Sequence, residues 1–312
     1  MKILVDNLFM AQAVGLLHMA LSHSDNHEPN SALSALAWFD VFGFPLTAIE
    51  VARYSPLFGQ PITVSEVIDS FSSSPHVIQV GGYYSLTASG TLTQQRQQRF
   101  RRTGPKLMRA KRVARLFGLL PSVRLVALCN SLAVANAGED SDIDLFVVCR
   151  SGTLWLTRLT LAIPLIALGL RPTPANQKDK ICLSFLVSEN ALDMSRYQCG
   201  DDDPYMRFWI ETVVPLHDAG GVFDHFRRLN GWRYRSSKTT TIEVEKAGFR
   251  TSGRIDRIAK RLQLARFPNR IRQMANLDSR VLISDDILKF HVNDRRELYR
   301  DRFRERLETI SL

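Results

Sequence analysis

Acidic residues are missing from a long part of the chain. Residues 70–138 contain no Asp or Glu, although the 312-residue chain has 31 of them against 41 Lys and Arg. The formal net charge of +10 favours attraction to polyanions such as nucleic acid, nucleotides or anionic lipid, and charge alone does not choose among them. The overall composition, 45% hydrophobic and 23% charged, is typical of an ordinary soluble protein with two or three modest domains.

Cysteine is scarce and long apolar runs are few. The four cysteines are widely spaced, which gives neither a zinc-ligand pattern nor a disulfide framework and favours a reducing cytoplasm. Residues 154–170 are a candidate membrane segment, but the run is short and contains Arg158 and Pro164, so we predict a buried helix. Residues 1–23 are interrupted by polar side chains and lack a convincing cleavage site, which favours a helix over a signal peptide. The sequence therefore predicts a cytoplasmic protein with no membrane span.

A small helical domain is predicted over residues 31–95, after an N-terminal helix and linker in residues 1–30. Apolar side chains at helical spacing indicate three short helices, and a glycine turn at Gly81 and Gly82 then joins two strands. Three helices followed by a hairpin resemble a winged helix. The third helix contains Glu66 and neither Lys nor Arg, which favours a protein contact over DNA reading.

Two basic segments are the most positive parts of the chain. The first includes a predicted helix over residues 105–119, and the second is one face of a predicted helix near residue 257. Each is either a solvated surface or a surface that binds phosphate or nucleic acid, and both interpretations stay open. Their cations are Arg96, Arg99, Arg101, Arg102, Lys106, Arg109, Lys111, Arg112 and Arg115 in the first, and Arg254, Arg257, Lys260 and Arg261 in the second.

Two aspartates, Asp142 and Asp144, stand one residue apart at the front of the apolar run DIDLFVV. Because side chains alternate along a strand, the two share one face while Ile143 and Leu145 share the other. Like charges side by side repel each other unless a cation compensates, and a divalent ion with oxygen ligands does so. The alternative is a surface turn over residues 138–141, where such residues are common.

The segment before the aspartates adds context. VRLVALCNSL is a second apolar strand that ends at Asn130 and Ser131, and about ten residues separate it from the Asp-x-Asp strand. This order resembles the DNA polymerase beta-like nucleotidyltransferase superfamily. The resemblance implies an α/β (α+β) fold whose catalytic domain, assigned to residues 96–200, has a central mixed β-sheet flanked by helices. A mainly helical C-terminal region would follow in residues 201–312.

The resemblance also implies roles for individual residues. Asp142 and Asp144 would be catalytic and bind Mg²⁺ (or Mn²⁺), and the turn at Asn130 and Ser131 would hold the phosphates of a nucleoside triphosphate. Magnesium that bridges phosphates supplies the positioning and charge neutralisation that phosphoryl transfer needs. The basic helix over residues 105–119 would be the opening helix of the family.

Two departures from the family pattern bear on activity. Asn130 stands where the family usually has glycine, so its side chain crowds the phosphates or requires an unusual backbone angle, which asparagine tolerates better than most residues. A third carboxylate, the general base of many members, is absent from the middle of the later strand KICLSFLVSEN. Glu189, at the end of that strand, is the weak candidate for this base, with a surface turn as the alternative.

The resulting hypothesis is a metal-dependent nucleotidyltransferase that moves a nucleoside monophosphate from Mg-NTP to an unidentified acceptor, a nucleic acid or a protein that the basic segments would contact. The alternative is a catalytically weak or inactive nucleotide sensor whose winged-helix domain contacts protein or DNA. A third hypothesis is nucleic-acid binding through residues 96–115. The acidic triplet at residues 201–203 is predicted as a loop before a helix rather than a metal cluster, and His291 receives no role.

Overall fold

The computed structural model describes residues 30–87, 90–200, 202–234 and 253–311. Within them, the chain forms a six-stranded mixed sheet flanked by helices, together with a smaller unit of helices and a two-stranded hairpin. The predicted mixed α/β class and the mixed sheet flanked by helices are confirmed. The helix and linker predicted for residues 1–30 lie outside the described residues, except for residue 30.

Three helices and a hairpin form the N-terminal unit, in the predicted order. They are α1 (Ser31–Asp40), α2 (Ala48–Tyr54), α3 (Val64–Ser72), β1 (Ile78–Val80) and β2 (Tyr83–Ser85). Helices α2 and α3 both begin with a capping box, in which a threonine hydroxyl and a glutamate carboxylate each accept the other residue's backbone N–H. Gly81 and Gly82 have φ of 58° and 82° in the hairpin turn, a conformation that glycine adopts without strain. The resemblance of this unit to a winged helix stays a prediction.

The main sheet has six strands, which are β3 (Val123–Leu128), β4 (Ile143–Cys149), β5 (Ile181–Ser188), β6 (Val214–Asp218), β7 (Val281–Ile283) and β8 (Ile287–Phe290). Their order across the sheet is β6-β3-β4-β5-β8-β7. Strands β4 and β5 run parallel, and the other neighbouring pairs run antiparallel. Because parallel strands begin at the same end of a sheet, the residues that open β4 and β5 lie side by side.

Helices and two hydrophobic cores cover the two faces of this sheet. The α-helices after the hairpin are α4 (Leu92–Phe117), α5 (Asn130–Ala133), α6 (Leu154–Ala167), α7 (Pro204–Thr212), α8 (Val222–Leu229), α9 (Arg254–Arg266), α10 (Asn269–Met274) and α11 (Arg296–Ser311). Ile143 and Leu145 belong to the first core, with side chains of α4, α6 and α9, while Phe146 and Val148 belong to the second, with α7 and α8. The split follows the period-two alternation of a strand.

A third, aromatic core joins the N-terminal unit to the rest of the protein. Trp38 of α1 is fully buried and packs edge-on against Phe208 of α7 and Phe303 of α11. Edge-to-face aromatic pairs of this kind add about 0.5–1.5 kcal/mol beyond the area that they bury. The N-terminal unit is therefore packed directly against α11 and against α7, whose other side chains pack on the main sheet.

Helix α4 corrects the predicted bounds of the basic helix. The prediction starts the helix at Pro105, whereas the helix begins at Leu92 and contains Pro105. Proline removes only one N–H, and the preceding segment is rich in Gln and Arg, which are good helix formers. The boundary drawn between residues 95 and 96 lies inside this helix.

The C-terminal region is less purely helical than predicted, because β6, β7 and β8 all come from it and extend the sheet at both edges. These strands are too short for an alternating pattern to be evident in the sequence, and β6 contains Pro215, which edge strands tolerate. The apolar residues 154–167 form α6, which packs into the first core. None of the described helices has both the length and the apolar character that a membrane crossing requires.

Candidate metal and nucleotide site

The two aspartates lie where β3 ends and β4 begins. The backbone N–H of Cys129, just after β3, donates to the carbonyl oxygen of Asp144 at 3.2 Å. The chain then turns at Asn130, whose φ of 58° is in the left-handed region. Asparagine adopts this conformation more readily than other non-glycine residues. Asn130 thus has a backbone conformation that glycine adopts without strain.

Cys182 joins the two aspartates. In the parallel pair of β4 and β5, Asp144 is the register partner of Cys182. One ligand atom from each of Asp142, Asp144 and Cys182 lies within 4.8 Å of the other two. The sequence did not identify Cys182 as a site residue, because its place beside Asp144 depends on the register of two strands far apart in the chain. The three side chains offer two hard oxygen donors and one soft sulfur donor.

The surroundings of both aspartates disfavour their charged form. Burial and the neighbouring Asp142 charge raise the pKa of Asp144 to about 6, although hydrogen bonds to Asn130 and Cys182 oppose the shift. Burial also raises the pKa of Asp142, against the Cys182 hydrogen bond and the charge of Lys106. Among the described residues, neither carboxylate forms an ion pair with Lys, Arg or His. A bound cation would favour the charged form of both carboxyl groups.

Lys106 of α4 fixes the loops that lead into the site. Its Nζ is 2.6 Å from the carbonyl oxygen of Ser141, which precedes Asp142, and 2.8 Å from the Asp179 carboxylate, which precedes β5. The side chain is almost fully buried, at 5% exposure. Lys106 therefore holds the segments that carry Asp142 and Cys182 together.

Several other cations of α4 also make contacts within the protein. Arg96 pairs with Glu50 at 2.6 Å, Arg99 donates to the Asn136 side chain, Arg102 pairs with Glu139, and Arg109 donates to the carbonyl oxygen of Asp179. Arg101, Arg112 and Arg115 are exposed. Some cations of the helix thus make contacts within the protein, and the others are exposed to solvent.

The second basic segment shows the same division. Arg254, Arg257 and Arg261 are exposed, while Lys260 pairs with Asp285 at 2.7 Å.

Glu189 does not join the aspartates, which corrects its candidacy as the third acid. Residue 188 is paired with Cys149, at the far end of β4 from Asp144. The Glu189 carboxylate instead forms an ion pair with Arg124 at 2.8 Å. Parallel pairing places the start of β5, and not its end, beside the start of β4.

A cavity of about 540 Å³ opens beside the aspartates. Asn130, Asp142 and Asp144 line one part of it, and the aromatic side chains of Tyr205 and Trp209 line another. Cys182 and Ser131 are not among its described lining residues. Cavities of roughly 300–1,000 Å³ suit small-molecule ligands. The aspartate pair therefore faces a space large enough for a nucleotide.

The C-terminal region supplies a cationic part of the cavity lining, which the sequence did not predict. Lys289, Arg295 and Arg296 line the cavity, at and after the last strand. Arg296 pairs with Asp203 at 2.7 Å and Asp294 at 2.9 Å, and both Lys289 and Arg296 are buried. Burial, together with the Arg296 charge, lowers the pKa of Lys289 to about 8. Arg295 is exposed, so its guanidinium is open to an anionic ligand.

His291 and the described residues of the acidic triplet make contacts within the protein. Burial lowers the pKa of His291 to about 3, and its Nε2 lies 3.2 Å from the Ser184 hydroxyl. Asp203 caps α7 by accepting the Met206 N–H, and Asp202 pairs with Arg207 at 3.0 Å. The prediction of a helix-opening loop is confirmed for these two residues, and Asp201 lies outside the described residues.

The donor set fits a divalent cation. Two carboxylates at the start of β4, which line a cavity and have no ion-pair partner among the described residues, are an arrangement in which a hard cation gains from binding.

In comparisons with known proteins, no family model matches the chain, and neither a curated protein nor a solved structure is significantly similar to it.

Proposed function

We propose that this protein is a nucleotidyltransferase that transfers a nucleoside monophosphate from Mg-NTP to an acceptor. The observation that carries the proposal is the pair Asp142 and Asp144, half-buried and with no ion-pair partner among the described residues, at the side of a cavity of about 540 Å³. Strand β3, the turn at Asn130 and the Asp-x-Asp start of β4 add support, because they have the order that resembles the DNA polymerase beta-like superfamily.

The two aspartates would hold Mg²⁺ (or Mn²⁺), which would supply charge neutralisation at the phosphates. Asn130 has a left-handed backbone at the end of β3 and lines the cavity, and the N–H groups of the Asn130–Ser131 turn would bind phosphate oxygens. Arg295, which lines the same cavity, would bind a second anionic group of the nucleotide or the acceptor. Lys106 would act only by positioning the loop before Asp142.

A nucleotide sensor without turnover is the second candidate, and the chemistry of Cys182 favours it. Burial, with the two neighbouring carboxylates, raises the pKa of the Cys182 thiol well above its usual value. A thiol in that state is a poor general base at neutral pH. A sensor would bind NTP and metal at the same aspartates and transmit the change through the N-terminal unit. Its winged-helix-like arrangement leaves Val64 and Ile68 of α3 exposed, which suits contact with a protein.

Label transfer from each alpha-labelled NTP onto the protein itself, tRNA, small sugars and cell extract tests the proposal. The variants are the Asp142→Asn, Asp144→Asn double substitution and, as a matched control, Asp140→Asn in the adjacent exposed turn. Loss of a metal ion worth several kcal/mol to the transition state should lower the rate at least about a thousandfold. The control should keep the wild-type rate.

Binding of a fluorescent NTP distinguishes the outcomes. Transfer by wild type and by Asp140→Asn, but not by the double variant, supports the transferase. Metal-dependent NTP binding without transfer supports the sensor. Equal transfer by wild type and the double variant would refute both assignments of the aspartates.

A further inference from the structure

We infer that Cys182 is the third ligand of the candidate metal site, which makes this site bind a Zn²⁺-type ion through a mixed set of two carboxylates and one thiolate. The inference rests on the proposed function in one respect, namely that Asp142 and Asp144 hold a metal. It goes further by assigning a role to a residue of β5 and by naming a softer class of ion than Mg²⁺.

Geometry is the first support. The ligand atoms of Asp142, Asp144 and Cys182 lie within 4.8 Å of one another. Zinc binds sulfur at about 2.3 Å and carboxylate oxygen at about 2.0–2.2 Å. Two ligands of one ion are therefore separated by at most about 4.6 Å. The three ligand atoms lie within a slightly longer distance of one another, so small side-chain adjustments would bring all three onto one ion. A fourth, non-protein position would remain for water or a phosphate oxygen.

The surroundings of the other cysteines support the choice of Cys182. The Cys129 thiol donates to the backbone carbonyl of Asp144, the Cys149 thiol to Val187 and the Cys199 thiol to the Glu297 carboxylate. All four cysteines lie within the described residues, and only Cys182 belongs to the cluster with the two aspartates.

Ligand softness gives the expected preference. Carboxylates suit Mg²⁺, Ca²⁺ and Mn²⁺, whereas a thiolate selects zinc and other soft ions. When the ion binds, a sulfur–metal bond forms and the S–H bond breaks, and the proton passes to the solvent. Replacement of Cys182 should therefore weaken the binding of soft ions much more than it weakens the binding of Mg²⁺.

Cadmium titration of the full chain tests the inference, because a thiolate bound to Cd²⁺ gives an ultraviolet charge-transfer band that carboxylates do not give. The metal-free protein is kept reduced with a phosphine and compared with Cys182→Ser and, as a control, Cys199→Ser. We expect the band in wild type and Cys199→Ser and no band in Cys182→Ser. Competition with Zn²⁺ should show that Cys182→Ser binds Zn²⁺ at least about 10- to 100-fold more weakly than wild type. Loss of a residue that only supports a ligand typically costs that much, and Cys182 would be a ligand itself.

Two further variants separate this inference from the proposed function. Cys182→Asp should lose the band and shift the preference towards Mg²⁺, since all three donors are then carboxylates. The Asp142→Asn, Asp144→Asn double variant should lose both Cd²⁺ and Mg²⁺ binding. Circular dichroism checks that each variant is folded.

Three results would overturn the inference. A band that persists in Cys182→Ser assigns it to another thiol. Wild type that binds Mg²⁺ at the aspartates and gives no band refutes the role of Cys182 while the proposed function stands. Wild type that binds neither ion refutes both.

Discussion

Two carboxyl groups of this protein, the buried Glu211 of α7 and the half-buried Asp144 of β4, have opposite surroundings. The Glu211 carboxylate accepts hydrogen bonds from Arg227 at 3.1 Å, Arg233 at 2.8 Å and the Tyr234 hydroxyl at 2.7 Å. Asp144 has no ion pair among the described residues, and the like charge of Asp142 adds to the burial that raises its pKa. Burial raises the pKa of Glu211, but the two arginines outweigh it and the net pKa is lowered, whereas the pKa of Asp144 rises to about 6.

The difference separates a structural carboxylate from one that lacks a counter-ion. A buried charge costs several kcal/mol unless it is paired and hydrogen-bonded. Glu211 meets that cost with groups from α8 and from the segment after it, so its role is complete within the protein. No described residue forms an ion pair with the Asp144 carboxylate to offset this cost, and a bound cation would offset it. This uncompensated charge beside a cavity is the physical reason for assigning Asp144 to a candidate metal site.

Glu211→Gln should have the largest effect on stability. The substitution leaves Arg233 buried, at 4% exposure, without its carboxylate, and such losses typically cost about 3–5 kcal/mol. Asp144→Asn should cost nothing or stabilise the metal-free protein, because it removes an unpaired buried charge. Urea unfolding of both variants in EDTA measures the free energies. Equal destabilisation by the two substitutions would contradict the comparison.

The pH dependence of stability should also differ in sign. The pKa of Asp144 is raised in the folded protein, so its contribution is fully present below about pH 4 and is lost as the pH rises through about 6. The loss is at most about 3 kcal/mol, since each pKa unit corresponds to about 1.36 kcal/mol. The pKa of Glu211 is lowered, so its contribution is present above the ordinary carboxyl pKa and is lost as the pH falls.

Unfolding free energies in EDTA at pH 4.5 and pH 7, for wild type and Asp144→Asn, isolate the first contribution. We expect wild type to gain stability relative to Asp144→Asn at the lower pH. A constant difference between the two proteins across this range would show that Asp144 titrates as an ordinary carboxyl group.

Much of the fold was predictable because its signals are local. The three short helices of the N-terminal unit, the glycine turn and the apolar strands β3, β4 and β5 all depend on neighbours in the sequence. The short strands β6, β7 and β8 were missed because they are stabilised by pairing with distant strands rather than by their own pattern. The start of α4 was missed because Pro105 is tolerated inside the helix.

The site was predictable only in part, for a related reason. Asp142 and Asp144 are recognisable from their spacing on one strand. Cys182 becomes a member of the cluster only through the register of β4 with β5, and Arg295 reaches the same cavity only through the packing of the C-terminal region. Contacts between segments distant in the chain carry no local signature, so the sequence offered Glu189 only as a weak candidate for the third acid, with a surface turn as the alternative.

Glu189→Gln should have the smallest effect on stability. It tests whether Glu189 is a paired structural carboxylate, like Glu211, or part of the metal site with Asp144. Glu189 and its partner Arg124 are 26% and 30% exposed, and solvent-exposed pairs typically contribute about 0.2–1 kcal/mol. We expect a stability loss within that range, and metal binding equal to wild type, because the carboxylate lies at the far end of β5 from the aspartates. Urea unfolding and Cd²⁺ titration of the same preparation measure both. A weakened metal site with unchanged stability would contradict the placement of Glu189 outside the metal site.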